Sequence, residues 1–411
     1  MNKQPLEHHS PIEYFGTDDN CLLIEGEKFT SILSSHPDVP AYIYSRSAIE
    51  KKINTLRQFL PSSMHIHYAI KANPMPEVVN FVQGIVEGLD VASGKELKVA
   101  LDSGMDPKEI SFAGPGKSID ELTYAVQSGI TLNLESETEL LRVASIGEEL
   151  GITPNVALRI NPDFELKTSG MKMSGGPKQF GVDAEIAPDI IAKIKTLELN
   201  FKGLHIFSGS QNLKHDAIIE AQTKTFALAS TLAEKTQSDF AKLNIGGGFG
   251  IPYFPGEKPL ELDSIGENLH SLIEKYSDQF DDTDIITELG RYIVGQSGIY
   301  LSKIIDKKVS RGSIFLIVNG GLHHHLAASG NFGQVIRKNY PVTIANKVGM
   351  DTEKASVVGP LCTPLDVLAQ DMDLPKADIG DYVAVFNSGA YGYTSSPLNF
   401  LSHPHPIEIF V

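Results

Sequence analysis

Lys71 closes the run MHIHYAIKANP (64–74), whose β-branched and aromatic residues alternate as on a strand until Ala72-Asn73-Pro74 stop it. An ammonium at a strand tip, in a partly dry pocket with a polar rim, has a lowered pKa and can form a Schiff base. The plainer alternative is a rim lysine in a surface salt bridge. GGGFG (246–250) offers backbone N–H groups with no side chains in the way, suited to a phosphate. It does not match G-x-G-x-x-G, and a glycine run alone is most often a loop. Glu288 ends the run DIITEL and can hold a proton on a pyridine nitrogen, or else pair with Arg291.

Those groups need a scaffold that brings strand ends together. Eight short β-rich runs recur at 65–70, 88–92, 110–113, 131–134, 155–160, 201–207, 242–245 and 284–289. Between them lie helical patterns such as ELKVALDSG, SIDELTYAVQSG and ETELLRVASIGEEL. Strand and helix repeated eight times predicts a (β/α)8 barrel of the TIM type, an α/β fold of about 250 residues with its chemistry at the C-terminal strand ends. The rim would then carry Lys71, Asp90 to Ser93, GPGK (114–117), ESE (135–137), Arg159, HIFSGSQN (205–212), GGGFG and ELGRY (288–292). Beyond residue 300, alternating runs with little helix predict a C-terminal β-rich domain. We expect the barrel over 40–287, and the β-rich domain over 1–39 and 288–411.

The chain has 411 residues, so two domains are the prior, and a formal charge of −16 that argues against nucleic acid or an anionic membrane as partner. No apolar run reaches a membrane span or a signal-peptide core, and Cys21 and Cys362 are too few for a disulfide framework. The expectation is a reduced, cytoplasmic protein. The run His323-His324-His325 invites a metal, but consecutive strand residues point to opposite faces, so we expect no metal there.

The motifs HYAIKANP, DVAS, GPGK, GGGFG, ELGRY, GPLCT and SGAYG, in that order over almost the whole length, carry a resemblance. The chain resembles the barrel-type decarboxylases dependent on pyridoxal 5'-phosphate (PLP) that include diaminopimelate and ornithine decarboxylases. These are fold type III enzymes with an alanine racemase-like fold. It most resembles the group associated with exosortase A gene clusters. Through GGGFGIPYF, GPLCTP and FLSHPHP it is also similar to decarboxylases of butirosin and carboxylate-siderophore biosynthesis.

The resemblance implies that Lys71 holds PLP as a Schiff base and that Glu288 pairs with the pyridinium nitrogen. It implies that Ser210, Gly247, Gly248 and Arg291 bind the cofactor phosphate, helped by Tyr391 of a neighbouring subunit, that Gly290 also binds the cofactor, and that the protein is a homodimer. Asp90, Arg159, His205 and Phe207 would line the cofactor. Cys362, also from the neighbouring subunit, would return a proton after carbon dioxide leaves.

Departures from the relatives bear on substrate. Phe207 stands where they stack a histidine; it can stack but not carry charge. Diaminopimelate and ornithine decarboxylases place an acid after the active-site cysteine to receive a distal ammonium, whereas here Thr363 follows Cys362, and Gly320 stands for a further acid of the ornithine enzymes. A cationic distal group is therefore disfavoured. The leading expectation is decarboxylation of an L-amino acid that is conjugated or bound to an acyl carrier protein. Diaminopimelate decarboxylation is the alternative, and racemisation a weaker one, because racemases place an arginine at the pyridine nitrogen. By similarity Arg337 would bind a substrate carboxylate, with Thr363 and Tyr391 also facing substrate. Lys167, Lys172 and Lys178 are candidates for carrier docking, against the commoner reading of a solvated loop.

Overall fold

A computed structural model describes residues 8–164, 171–172, 174–332, 334 and 337–411. The chain divides into two compact units, one of residues 52–250 and 260–292, the other of residues 1–51, 251–259 and 293–411.

The first unit is the expected barrel. Its strands are β1 (His65–Ala69), β2 (Gly88–Val91), β3 (Ile110–Phe112), β4 (Thr131–Leu134), β5 (Asn155–Asn161), β6 (Asn200–Ile206), β7 (Lys242–Gly247) and β8 (Asp284–Leu289). All neighbours pair in parallel, and β8 closes onto β1 with Glu288 opposite His67. Strands such as GLDV and TLNL are buried at every position, so they read as short apolar runs, as expected of strands covered on both faces.

Seven helices follow: α1 (Pro76–Val82), α2 (Gly94–Asp102), α3 (Ile119–Ser128), α4 (Glu137–Leu150), α5 (Ala187–Thr196), α6 (His215–Thr236) and α7 (Asp263–Lys275). Three of them begin on serine caps that switch the chain from strand exit to helix. Ser93, Ser118 and Ser136 accept from the backbone amides of Glu96, Glu121 and Glu139, each cap contributing about 1 kcal/mol. Gly129 and Gly151 end α3 and α4 in left-handed conformation (φ +73° and +65°), which turns the chain back toward the next strand.

The second unit is β-rich, as expected. Its sheet is built on one long strand, Gly298–Ser310, whose first half pairs with Ala41–Tyr44 and Tyr382–Val385 and whose second half pairs with Ser313–Val318. Ile407–Phe410 adds in parallel beside Ala41–Tyr44. The histidines 323–325 do not lie on a strand, so the alternation argument fails for them. They occupy a turn after Val318; His324 bonds Pro404 O and the Tyr300 hydroxyl, while His325 bonds the Ser388 hydroxyl.

Candidate active site

The barrel sets Lys71 just past β1, in a single 3-10 turn (Ile70–Ala72). Asn73 ends that turn: its side chain accepts from the Met75 amide at 3.1 Å, and Pro76 opens α1. The lysine therefore stands at the strand's C-terminal end, its side chain 39% exposed.

Glu288, near the end of β8, is 5% exposed and meets Lys71 directly, with Nζ 3.2 Å from Oε1. Its other oxygen lies 3.0 Å from Nε2 of His205 at the end of β6. Burial alone would raise the Glu288 pKa. The Lys71 ammonium, the His205 hydrogen bond and the Arg159 charge outweigh it and hold the carboxyl well below the usual range. The site thus keeps a buried anion between two nitrogens. Phe207 lies beside it, its ring centroid 5.5 Å from the Lys71 nitrogen.

On the far side of the rim, Arg159 is buried and its Nη1 donates to Oε1 of Glu135 at 2.7 Å. Its guanidinium lies 4.8 Å from the Phe180 ring centroid. Glu135 also accepts from the amides of Gly114 and Gly181, each at 2.7 Å, and so ties three rim segments together. Burial pushes its pKa up, but Arg159 and the Gly181 amide bring the net value below normal. Sequence reading placed Glu135 at a strand end without a role; the signal was its position one residue past β4. Asp90, on β2, is buried, accepts from the Ser111 hydroxyl, and has Oδ1 3.5 Å from Nδ1 of His67.

The glycines make a cradle where no side chain fits. A Cβ on Gly247 would lie 2.1 Å from the Glu288 carbonyl, and one on Gly248 (φ +78°) 2.3 Å from the Gly209 carbonyl. One on Gly290 would lie 2.9 Å from the Ala69 carbonyl. The Asn212 amide donates to Gly248 O at 2.9 Å and the Gly250 amide to Asn212 O at 2.8 Å, which zips the loop after β6 to the loop after β7. Ser210 sits in that same loop and Arg291 directly follows β8 and Gly290.

In the second unit, Cys362 is exposed, in a loop with Thr363. Asp366 ends the loop, and its two oxygens accept from the amides of Leu322 and Leu361 at 2.6 and 2.8 Å. Tyr391 takes a left-handed backbone (φ +53°), and its carbonyl accepts from the Ser395 hydroxyl. Both terminal nitrogens of Arg337 donate to backbone carbonyls, of Ser329 at 2.7 Å and of Val367. In this arrangement Arg337 braces two segments rather than presenting an open fork. Lys167 lies outside the described residues, as does the side chain of Lys172; Lys178 lies between Gly176 and the Phe180 that faces Arg159.

The barrel residues offer an amine, a carboxylate held ionised and a backbone cradle, and the buried Oδ2 of Asp90 and Nδ1 of His205 have no hydrogen-bond partner among the described residues. That set fits a phosphate-bearing pyridine aldehyde. Residues 46–295 match the family model described as pyridoxal-dependent decarboxylase, pyridoxal binding domain. The chain is 38% identical to the L-glutamyl-[BtrI acyl-carrier protein] decarboxylase of Niallia circulans, over 92% of this chain and 90% of that protein. It is 32% identical to the 2-[(L-alanin-3-ylcarbamoyl)methyl]-2-hydroxybutanedioate decarboxylase of Staphylococcus aureus, over 92% and 95% of the two chains. The crystal structure of diaminopimelate decarboxylase from M. jannaschii with L-lysine superposes with a TM-score of 0.88 at 27% identity, covering 97% of this chain and 93% of that one. No described helix is long and apolar enough to cross a membrane. The chain belongs to the pyridoxal-dependent decarboxylase family and is a PLP-dependent amino-acid carboxy-lyase of fold type III.

Proposed function

We propose that the substrate is an L-amino acid whose distal end is uncharged or acidic, carried as an acyl-carrier-protein thioester or as a conjugate. The observation that carries this is at the Cys362 loop. Thr363 stands where a receiving acid would be, and Asp366, the acid within the loop, has both oxygens committed to the Leu322 and Leu361 amides. A distal ammonium brought there would be buried without a carboxylate, at a cost of several kcal/mol. The printed substrates of the Niallia and Staphylococcus relatives, one carrier-bound and one a conjugate, support the same reading.

Bound PLP supplies the electron sink that accepts the electron pair of the bond from Cα to the carboxylate. The chain's own groups hold and prepare it. Lys71 Nζ would provide the amine that anchors the cofactor. Glu288, kept anionic by Lys71, His205 and Arg159, holds a proton on the ring nitrogen, so the sink stays cationic. His205, with its proton on Nε2, fixes the rotamer of that carboxylate. Phe207 offers an apolar face beside the amine. Ser210, Gly247, Gly248, Gly290 and Arg291, with Tyr391 from a second copy, receive the phosphate; Asp90 and Arg159 line the ring. Cys362 Sγ of the second copy delivers a proton to Cα once carbon dioxide has left, which makes the working unit a homodimer.

The test is carbon dioxide release from free diaminopimelate, ornithine and lysine against glutamyl carrier protein and citryl-conjugated amino acids. Turnover confined to the carrier-bound or conjugated compounds is expected. Enzyme-like turnover of free diaminopimelate would overturn the reading from Thr363.

A further inference from the structure

We propose that His65, His67 and Glu109 form a binding site for one divalent transition-metal ion of the zinc class, at the end of the barrel opposite Lys71. His65 and His67 are i and i+2 on β1, so both rings leave the strand on one face. Glu109 immediately precedes β3, on the turn Pro107–Glu109. One ligand atom from each of the three lies within 4.8 Å of the others, close enough that small side-chain rotations bring all three to a common ion.

Two further observations point to a ligand rather than to a chance cluster. First, His67 is 2% exposed, yet among the described residues neither of its ring nitrogens has a hydrogen-bond partner, and the buried Nδ1 of His65 has none either. Buried imidazole nitrogens are normally satisfied. Secondly, each ring turns its other nitrogen to a carboxylate. Nδ1 of His67 is 3.5 Å from Asp90 Oδ1, and Nε2 of His65 is 3.8 Å from Asp284 Oδ1. An outer carboxylate facing one nitrogen fixes the tautomer that leaves the other free to bind metal. That assignment leaves Nε2 of His67 and Nδ1 of His65 as donors.

Gly88, opposite His67 in the sheet, leaves room for the imidazole: a Cβ there would lie 2.4 Å from His67 Nε2 and 2.5 Å from the Glu109 carbonyl. The charge also fits. Glu109, Asp90 and Asp284 are countered locally by Lys242, whose Nζ is 2.6 Å from Glu109 Oε2, so with neutral rings the cluster keeps a double negative charge that a divalent ion neutralises. A small cavity lined by His67, Glu109, Lys242, Asn133 and Asn244 gives room for a water as fourth ligand. Such an ion would clasp the entry of β1 to the entry of β3 across β2.

The test uses the PLP-loaded protein, freed of metal with a chelator and titrated with zinc chloride. We expect one Zn2+ per chain, at least tenfold weaker binding in His65→Asn and in Glu109→Gln, and a zinc anomalous diffraction peak between the three side chains. The cofactor's visible absorbance, unchanged in both variants, shows that they are folded. Binding well below one per chain, affinity unchanged in both variants, or an anomalous peak elsewhere overturns the proposal.

Discussion

Glu288 divides its carboxylate between two nitrogens: Oε1 lies 3.2 Å from Lys71 Nζ and Oε2 lies 3.0 Å from His205 Nε2. The pairing keeps the acid ionised, because a proton on either oxygen would break one contact and remove the charge that strengthens the other. Since its pKa is lowered in the fold, its contribution to stability is present above the ordinary carboxylate pKa and is lost only as pH falls toward the depressed value. Across neutral pH the anion is constant.

Glu288→Gln preserves the volume and removes the charge. Carbon dioxide release should fall on the order of hundredfold, while the cofactor's visible band persists. A variant with near-native turnover would mean that the ring nitrogen needs no anion.

Glu135→Ala leaves Arg159 buried without its partner and releases the amides of Gly114 and Gly181. Thermal or urea unfolding should show a loss of roughly 3–5 kcal/mol. Glu135→Gln keeps one acceptor oxygen for the Gly114 amide and Arg159 but sets an NH2 against the Gly181 amide, and should lose less. Equal losses would show that the charge pair carries the whole effect.

The three turn histidines predict acid sensitivity. Burial lowers His323 to about 3, His324 to about 4 and His325 to about 3. His324 is bound by Pro404 O and the Tyr300 hydroxyl, and His325 by the Ser388 hydroxyl. Their unfolded forms take up protons below pH ~6.5 while the folded forms do not, so stability is full above that value and falls as pH drops toward 4. Each histidine contributes a slope of at most about 1.4 kcal/mol per pH unit. Unfolding measured at pH 7.5 and 5.0 should differ, and His325→Asn should reduce the difference. A flat profile would mean that the rings are already solvated.

Chains carrying Lys71→Ala and chains carrying Cys362→Ala should each be nearly inactive. On the proposed homodimer with shared sites, refolding the two together should restore about a quarter of native turnover, because half the dimers would be mixed and each would have one intact site. No recovery would place both residues in a site formed within one chain.

Much of this was legible from residue order. Eight β-rich runs spaced by helical patterns specify a barrel because the strands are largely buried and three of the helices between them start at serine caps. Once the strands are ordered, Lys71, Glu288 and His205 must converge on one rim. What the sequence did not reveal is where individual oxygen atoms point. Glu135 reads as one more rim acid, yet its two oxygens join Arg159 to two glycine amides. Nor does the sequence show that Asp366, an acid near Cys362, is committed to two backbone amides. The turn that holds His323 to His325 was read as a strand because three consecutive histidines have no periodicity to distinguish the two.

The strand Gly298–Ser310 sets an order of assembly. All pairings around the barrel are made within residues 65–289, so that ring can close while later residues are still on the ribosome. Ala41–Tyr44 must instead wait for two distant partners, Gly298–Leu301 on one side and Ile407–Phe410 on the other. The second unit therefore finishes last, and a nascent chain halted before residue 407 would carry a closed barrel beside an open, sticky sheet edge.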